Sequence, residues 1–382
     1  MVVGDPAGRR VALFQAALNR LGRAPAAIVP YRDLLAGRSR LEEAVGAGAL
    51  LRVESPDRDF EVERALIALG ADVPDDEADS DRVGRAAALA LEFDRGRIRH
   101  PRQWYLGFRA ALRLIDRQRE ACLPHRIMNP PGDIALMFDK PRCHARFEAA
   151  GVPCPRGLGT PRDYADLRDR MGRAGIRRAF VKLAHGSSAS GVVALETAGP
   201  RVQATTTVEA IAGPGGELKL YNTRAIRRET SEPAVAAIID ALCRERAHAE
   251  RWVPKAGIDG GPFDLRVVVI GGRACHRVVR IGRSPLTNLH LLNRRGDPEA
   301  VRARMAPADW DAALRSCERA AAVVPASLYA GVDLVIAAGF RTHAVLEINA
   351  FGDLLPGIEH EGADTYAAEL AAVEVQAGEA GS

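Results

Sequence analysis

The chain has 382 residues, 47% of them hydrophobic and 27% charged. That is enough for two or three packed cores, and it excludes a disordered chain, a collagen-like repeat and a small disulfide-stapled scaffold. The net charge of +4 is small, the basic residues are dispersed and aromatics make up 5%, so the basic block and stacking platforms of a nucleic-acid binder are missing. No apolar run approaches the roughly 18 residues of a membrane span. The start MVVGDPAGRRVALF lacks the apolar core of a signal peptide, so a cytoplasmic protein with no membrane partner is expected.

Six cysteines (Cys122, Cys143, Cys154, Cys243, Cys275, Cys317) are far apart, with no CxxC pair and no histidine at zinc-ligand spacing. This predicts free thiols, no disulfide and no structural metal. Of 53 basic residues only Lys140, Lys182, Lys219 and Lys255 are lysine. Where arginine is the default, a retained lysine marks a place that needs a compact ammonium on a flexible stem, such as a tight phosphate pocket. Chance retention is the alternative at any single one.

In chain order, the spacing of Val11, Phe14, Leu18 and Leu21 predicts a helix ending at Gly22. Residues 26–31 and 50–55 read as strands, FEVERALIALGAD as a helix, residues 73–82 as an acidic loop and residues 104–119 as a helix. The strand–helix–strand rhythm predicts an open, mostly parallel sheet. NPPGD (129–133) is turn chemistry at a domain boundary, followed by a helix through 138–150, a proline-rich entry, a helix around 164–172, the strand AFVKLA, the loop HGSSASG and the strand VVALE. Beyond Val202 the pattern is unreadable until DLRVVVIGG (264–272), which pairs with CHRVVRIG as a hairpin. A helix over 307–324 and a last hairpin, GVDLVIAAGFRTHAVLEINA, precede the tail. No internal repeat is present.

Three features carry chemistry. Gly186, Ser187, Ser188, Ala189, Ser190 and Gly191 follow the strand that ends near Lys182, and small residues let backbone N–H groups and hydroxyls close around anionic oxygens. A flexible polar turn is the plain alternative. The spacing is not that of a Walker A loop. In the last hairpin, a turn at Gly339-Phe340 sets Asp333 opposite Glu347. Alternation then places Val335, Val345 and Asn349 on the carboxylate face and Leu334, Ile336, Leu346 and Ile348 on the core face. Like charges directly opposite need compensation, and a hard divalent cation with oxygen ligands supplies it; a solvated acidic face is the alternative. The central hairpin offers Arg266, Arg277 and Arg280 to a shared cleft, where they would meet phosphoryl oxygens or an anionic substrate. Asn288 adds a polar candidate.

Taken in order, Asp139-Lys140, VKLAHGSSASG, ERWVPK (250–255), DLRVVVIGG, RVVRIG, and VDL with LEIN resemble the ATP-grasp superfamily. The likeness is to its carboxylate-amine ligases of the ribosomal-protein glutamate ligase and glutathione synthetase sort, over residues 130–366. The resemblance implies an α/β protein (α+β in its catalytic part): an N-terminal open parallel-sheet domain over 1–125, then a two-lobed ATP-grasp domain over 126–375, with lobes about 139–250 and 256–370, a hinge at 250–255 and a tail at 376–382. It implies that Lys140 and Lys182 contact ATP phosphates and that the loop 186–191 covers them. Backbone groups near Arg251 and Val253 would read adenine with Trp252 packing nearby, and Glu250 or Lys255 would reach the ribose. Arg266 and Arg280 would hold substrate or γ-phosphate, and Asp333, Glu347 and Asn349 would bind Mg²⁺, with Mn²⁺ as a substitute. The activity implied is activation of a small-molecule or peptide carboxylate as an acyl phosphate and its ligation to an amine. A kinase that stops at phosphorylation and a nucleotide-binding regulator without turnover are the competing readings. No general base is evident; His185 and His290 are the candidates, weighed against a structural or surface role for each, and a homodimer is the default assembly.

Overall fold

The computed structural model describes residues 1–380 apart from Asp57, Arg58, Asp76, Ala78, Asp79, Ser187, Ser188, Pro214 and Gly216. Three main sheets organise the chain. The first is parallel, in the spatial order Ile28–Pro30, Val2–Gly4, Leu50–Val53 and Arg126–Ile127. Val2–Gly4, three residues that sequence alone leaves unreadable, sit buried inside it. The helix Arg9–Arg20 packs Val11, Phe14, Ala17 and Leu18 inward. Leu21, the fourth residue of the expected stripe, lies past the helix end and is exposed.

The helix expected across 138–150 is present as Lys140–Ala149, and a second helix, Pro131–Met137, precedes it beside the expected turn. Asp139 separates them: its backbone is extended and its side chain accepts from the Arg142 N–H at 3.2 Å, an N-cap that starts a new helix. Lys140 therefore stands at a helix start.

The second sheet is antiparallel, in the order Gly157–Gly159, Ala247–Arg251, Arg178–Leu183, Val192–Ala198, Arg201–Ala212 and Leu218–Glu229, with helices Tyr164–Ala174 and Glu232–Arg244 sharing its core. The stretch beyond Val202 resisted reading because Ala204–Val208 is buried without interruption and so does not alternate. The third sheet runs Arg294–Gly296, Arg273–Ile281, Gly261–Ile270, Tyr329–Ile336 and His343–Asn349, with helix Pro307–Ala321 in its core. Its central hairpin turns at Gly271 and Gly272, both at positive φ (54° and 79°), as a two-residue hairpin turn requires. The closing helix Thr365–Ala380 extends through most of the segment expected as a tail. No helix among the described residues is long and apolar enough to cross a membrane.

Asp333 pairs with Glu347 and Gly331 with Asn349, as the turn position predicts. Towards the turn the register slips by one at Asp333/Leu334, so Leu334 meets Val345. This bulge exchanges two side chains relative to strict alternation: Val345 is buried in the core and Leu346 lines the cleft.

Two contacts fix the segment after this hairpin. Arg52, fully buried, pairs with Glu54, Asp353 and Glu369 and lies 4.9–5.0 Å from the rings of Phe14, Tyr329 and Tyr366. Beside it Gly331 and Gly352 touch backbone to backbone: a Cβ on Gly331 would lie 2.4 Å from the Gly352 Cα. The Gly352 carbonyl accepts from Arg266 at 3.3 Å, so this approach also supports the arginine that bonds Asp333. Replacing Gly331 by Ala is expected to lower unfolding free energy by about 1–3 kcal/mol, read as a shift in the urea midpoint at unchanged slope.

Candidate active site

Between the second and third sheets lies a cleft lined by Lys140, Lys182, Glu250, Asp264, Arg280, Asp333 and Glu347, with Val192, Val335 and Leu346 supplying apolar walls. Alternation explains how each sheet contributes. In Arg178–Leu183 the residues Ala179, Val181 and Leu183 fill the core, leaving Phe180 and Lys182 for the cleft. In Gly261–Ile270 the core takes Leu265 and Val267, leaving Asp264 and Arg266 on the other face.

Lys182 is paired with Glu250, whose strand lies next to its own. Burial alone would lower the ammonium's pKa, but Glu250 and then Glu347 outweigh it and the pKa is raised. Burial would likewise raise the Glu250 carboxyl; Lys182 overcomes this and holds it at about 2. Both groups are thus charged at neutral pH. Lys140 donates to the Gly186 carbonyl and its Nζ lies 3.6 Å from Glu347. Of the loop that follows, Ser187 and Ser188 lie outside the described residues. Gly191 has φ +63° and a Cβ there would lie 2.5 Å from Leu183 Cδ1, so this position needs glycine. Gly186, Ala189 and Ser190 line the cleft.

The carboxylate pair is compensated from within the chain. Arg266 bonds both Asp333 oxygens, and Arg280 reaches the same carboxylate at 3.1 Å. Burial pushes the Asp333 pKa up, and Arg266 and Arg280 bring it below the ordinary carboxylate value. Asn349 donates its amide N–H to Gly331 O at 3.2 Å, which leaves its side-chain oxygen as an acceptor. Asp333, Glu347 and Asn349 are an all-oxygen donor set, the chemistry of a hard divalent cation.

No protein-family model and no curated protein matches the sequence. Solved structures do match the fold. D-cycloserine synthetase DcsG shares 16% identity over 97% of each chain with a TM-score of 0.54. The ATP-grasp ligase PsnB complexed with minimal precursor shares 17% over 98% of this chain and 97% of that one, TM-score 0.53. Macrocyclase MdnC from Microcystis aeruginosa MRC, bound with precursor peptide MdnA, shares 13% over 98% and 99%, TM-score 0.50. The chain has the ATP-grasp fold.

Within this fold, several expected site residues stand elsewhere or are already engaged. Arg277 does not enter the cleft: three positions from Arg280 along a strand, it must point to the opposite face, and its guanidinium lies 5.9 Å from the Trp310 ring. Trp252 packs outside the cleft against Phe180 and Arg178 at ring distances of 5.4 and 5.5 Å. Arg251 and Val253 both line the cleft, and the Arg251 N–H is already engaged, donating to Arg156 O. Glu250 and Lys255, the expected ribose contacts, are tied to other partners: Glu250 to Lys182, and Lys255 to Asp264 at 2.8 Å and Thr287 at 2.6 Å. Asn288 does line the cleft. His185 is buried between Arg102, the Phe138 carbonyl and the Tyr105 ring, and burial and Arg102 push its pKa well below 6.5; it is a structural, neutral imidazole.

Asp264 and Thr287 were missed. Asp264 accepts from Arg280 at 2.7 Å as well as from Lys255 and Thr287, and so braces the arginine that touches Asp333. Its signal was available: it stands two residues before Arg266 and shares its face.

Glu250 gives a pH test. Its folded pKa, about 2, lies below the ordinary 4.5, so its contribution is complete above pH 4.5 and is lost as pH falls towards 2. The urea midpoint of the wild type should fall more steeply over that window than that of Glu250→Gln. The difference in loss corresponds to about 3 kcal/mol. Parallel profiles would show that the pair is not formed.

Proposed function

We propose that this ATP-grasp chain is an ATP-dependent carboxylate-amine ligase. The observation that carries the reading is the convergence of two of only four lysines, Lys140 and Lys182, on the cleft that holds the Asp333–Glu347 pair. Ammonium groups at one wall and an oxygen donor set at the other suit a nucleotide triphosphate with Mg²⁺. Asp333, Glu347 and Asn349 would hold the ion, which when bound would neutralise phosphate charge and orient the transferring group.

In this reading Lys140 and Lys182 hold the phosphates, and the segment from Gly186 to Gly191 closes over them to exclude water. A substrate carboxylate oxygen attacks the γ-phosphorus; the new O–P bond forms as the bond to the ADP oxygen breaks. Arg280, held by Asp264, and Arg266, held by Gly352 O, bear the charge of the transferring oxygens and of the substrate. The amine then attacks the acyl carbon, phosphate leaves, and the amine loses a proton. In this reading the unit expected at 126–375 holds the cleft, and the unit expected at 1–125 braces it through Arg52.

A groove of about 1300 Å³ adjoins the cleft and shares Lys255 and Pro285 with it. Arg224, Arg228 and Arg283 line it, and none of them has an ion-pair or hydrogen-bond partner among the described residues. Unpaired guanidinium groups favour an anionic substrate. PsnB is complexed with a minimal precursor and MdnC with a precursor peptide in their structures. An acidic peptide is accordingly the substrate class tested first, with small carboxylates second.

The decisive experiment is ADP release over carboxylate and amine libraries, with mass spectrometry of the products. A ligase shows turnover that needs both partners and a product that has lost water; phosphorylated product with no amine requirement identifies a kinase instead. Glu347→Gln and Lys182→Met should each lower kcat by about 10²–10³, the range for removal of one electrostatic contact to the transferring group. Retained turnover in Glu347→Gln overturns the ion-binding assignment. Reversing Arg224, Arg228 and Arg283 to Glu together should raise KM for acidic substrates at least about tenfold and remove its dependence on ionic strength.

A further inference from the structure

Beneath Lys182, with only Glu250 shared with the nucleotide cleft, the residues His144, His248 and Glu250 form a buried cluster. His144 comes from the helix Lys140–Ala149, and His248 and Glu250 from one face of the strand Ala247–Arg251. One ligating atom from each lies within 4.8 Å of the other two. His248 is 3% exposed and neither of its ring nitrogens has a hydrogen-bond partner. A buried imidazole with two orphaned nitrogens is costly and calls for an occupant.

The surroundings are built around this cluster. The His144 Nε2–H donates to the Pro155 carbonyl at 2.7 Å. That is the outer contact that fixes the tautomer of a metal-ligating histidine and leaves Nδ1 free to ligate. Glu148 Oε2 stands 3.7 Å from the same Nδ1. The ring of His144 has room only because residue 157 is glycine: a Cβ there would lie 2.8 Å from its Cε1. The pairing of Ala247–Arg251 with Gly157–Gly159 slips between Ala249 and Glu250, a bulge of the kind that re-aims a side chain. His248 Nε2 and Glu250 Oε2 are 3.6 Å apart. This is long for a hydrogen bond and near the roughly 3.3–3.4 Å between two ligands of a tetrahedral ion with 2.0–2.1 Å bonds.

We propose that His144, His248 and Glu250 form a binding site for a borderline transition-metal ion of the zinc class, separate from the oxygen-donor site at Asp333, Glu347 and Asn349. Two imidazoles and a carboxylate select zinc over magnesium, so the two sites differ in the ion they take. Glu250 also lines the nucleotide cleft, which gives the ion an entry path and a direction for a fourth, water ligand. Its other oxygen is bound by Lys182. The ion and the Lys182 ammonium therefore share one carboxylate, and occupancy of the site bears directly on that lysine. The cluster escaped sequence reading because its histidines are about a hundred positions apart.

The test is zinc titration of the full-length protein by calorimetry with excess Mg²⁺ present, together with metal content after dialysis and zinc-edge X-ray absorption. The site predicts one zinc per chain, a first shell of nitrogen and oxygen with imidazole scattering, and an affinity that falls at least about 10–100-fold in His144→Asn and in His248→Asn. Zinc should raise the melting temperature of the wild type and leave that of both variants unchanged. Undiminished binding in the histidine variants, a sulfur-containing shell that places the ion on cysteine, or loss of binding in Glu347→Gln with the histidines intact overturns the proposal. If the variants do not fold, the first shell of the wild type decides alone. None of these readouts requires ligase turnover, so failure here leaves the ligase reading standing, and the converse also holds.

Discussion

The cleft is organised by one electrostatic constraint, that two carboxylates stand directly opposite each other on neighbouring strands. Asp333 and Glu347 are set there by the hairpin's register, and in a medium poorer than water their repulsion must be offset. In this structure Arg266 and Arg280 offset Asp333, and Lys140 stands near Glu347. Asp264 in turn holds Arg280 and Lys255. The result is an alternating lattice of charges in which no member can be removed without exposing its neighbour, and a buried charge left alone is more costly than the pair was favourable. A phosphate chain with a divalent ion brings both signs of charge, so it can replace some of these internal contacts without leaving others bare.

That lattice needs a rigid frame, and the frame comes from far along the chain. Arg52 belongs to the first sheet, yet it holds Asp353 from the loop after the strand His343–Asn349 and Glu369 from the closing helix. The three aromatic rings around it exclude water from these bonds. Gly331 and Gly352 meet in the same place because neither has a side chain, and the Gly352 carbonyl supports Arg266. The N-terminal sheet thus contributes to the cleft through a buried charge contact at its own periphery and places no side chain of its own among the cleft's lining.

What was legible in the sequence was what depends on local period and order. The helix over Arg9–Arg20, the hairpin register and the succession of strands follow from spacing and turn chemistry. Features set by a neighbour in space were not legible. Asp139 ended one helix and began another through a cap a single residue long. The bulge at Asp333/Leu334 moved Leu346 into the cleft where strict alternation put it in the core. Arg277 was misplaced for a different reason: period 2 applied to it already separates it from Arg280, and grouping both in one cleft ignored that rule. His144 and His248 meet only because a helix lies across a strand.

The lysines show how far a compositional argument reaches. Lys140, Lys182 and Lys255 all line the cleft, while Lys219 lies on the strand Leu218–Glu229 beside Glu217. Retention alone therefore does not identify a site; what separates the three from the fourth is the shape of the space each fills. Lys140 is bound to a backbone carbonyl, Lys182 to one carboxylate oxygen, and Lys255 to a carboxylate and a hydroxyl together. Each is a small convergent set of acceptors that a compact ammonium satisfies, and a planar guanidinium with five donors would leave several N–H groups there without a partner. At Lys219, part-exposed, water would satisfy whatever either head group left over. The cost of replacing lysine by arginine thus follows from burial and acceptor number, and it is concentrated at the three positions where the lysine's neighbours are themselves ionised or main-chain groups of the cleft.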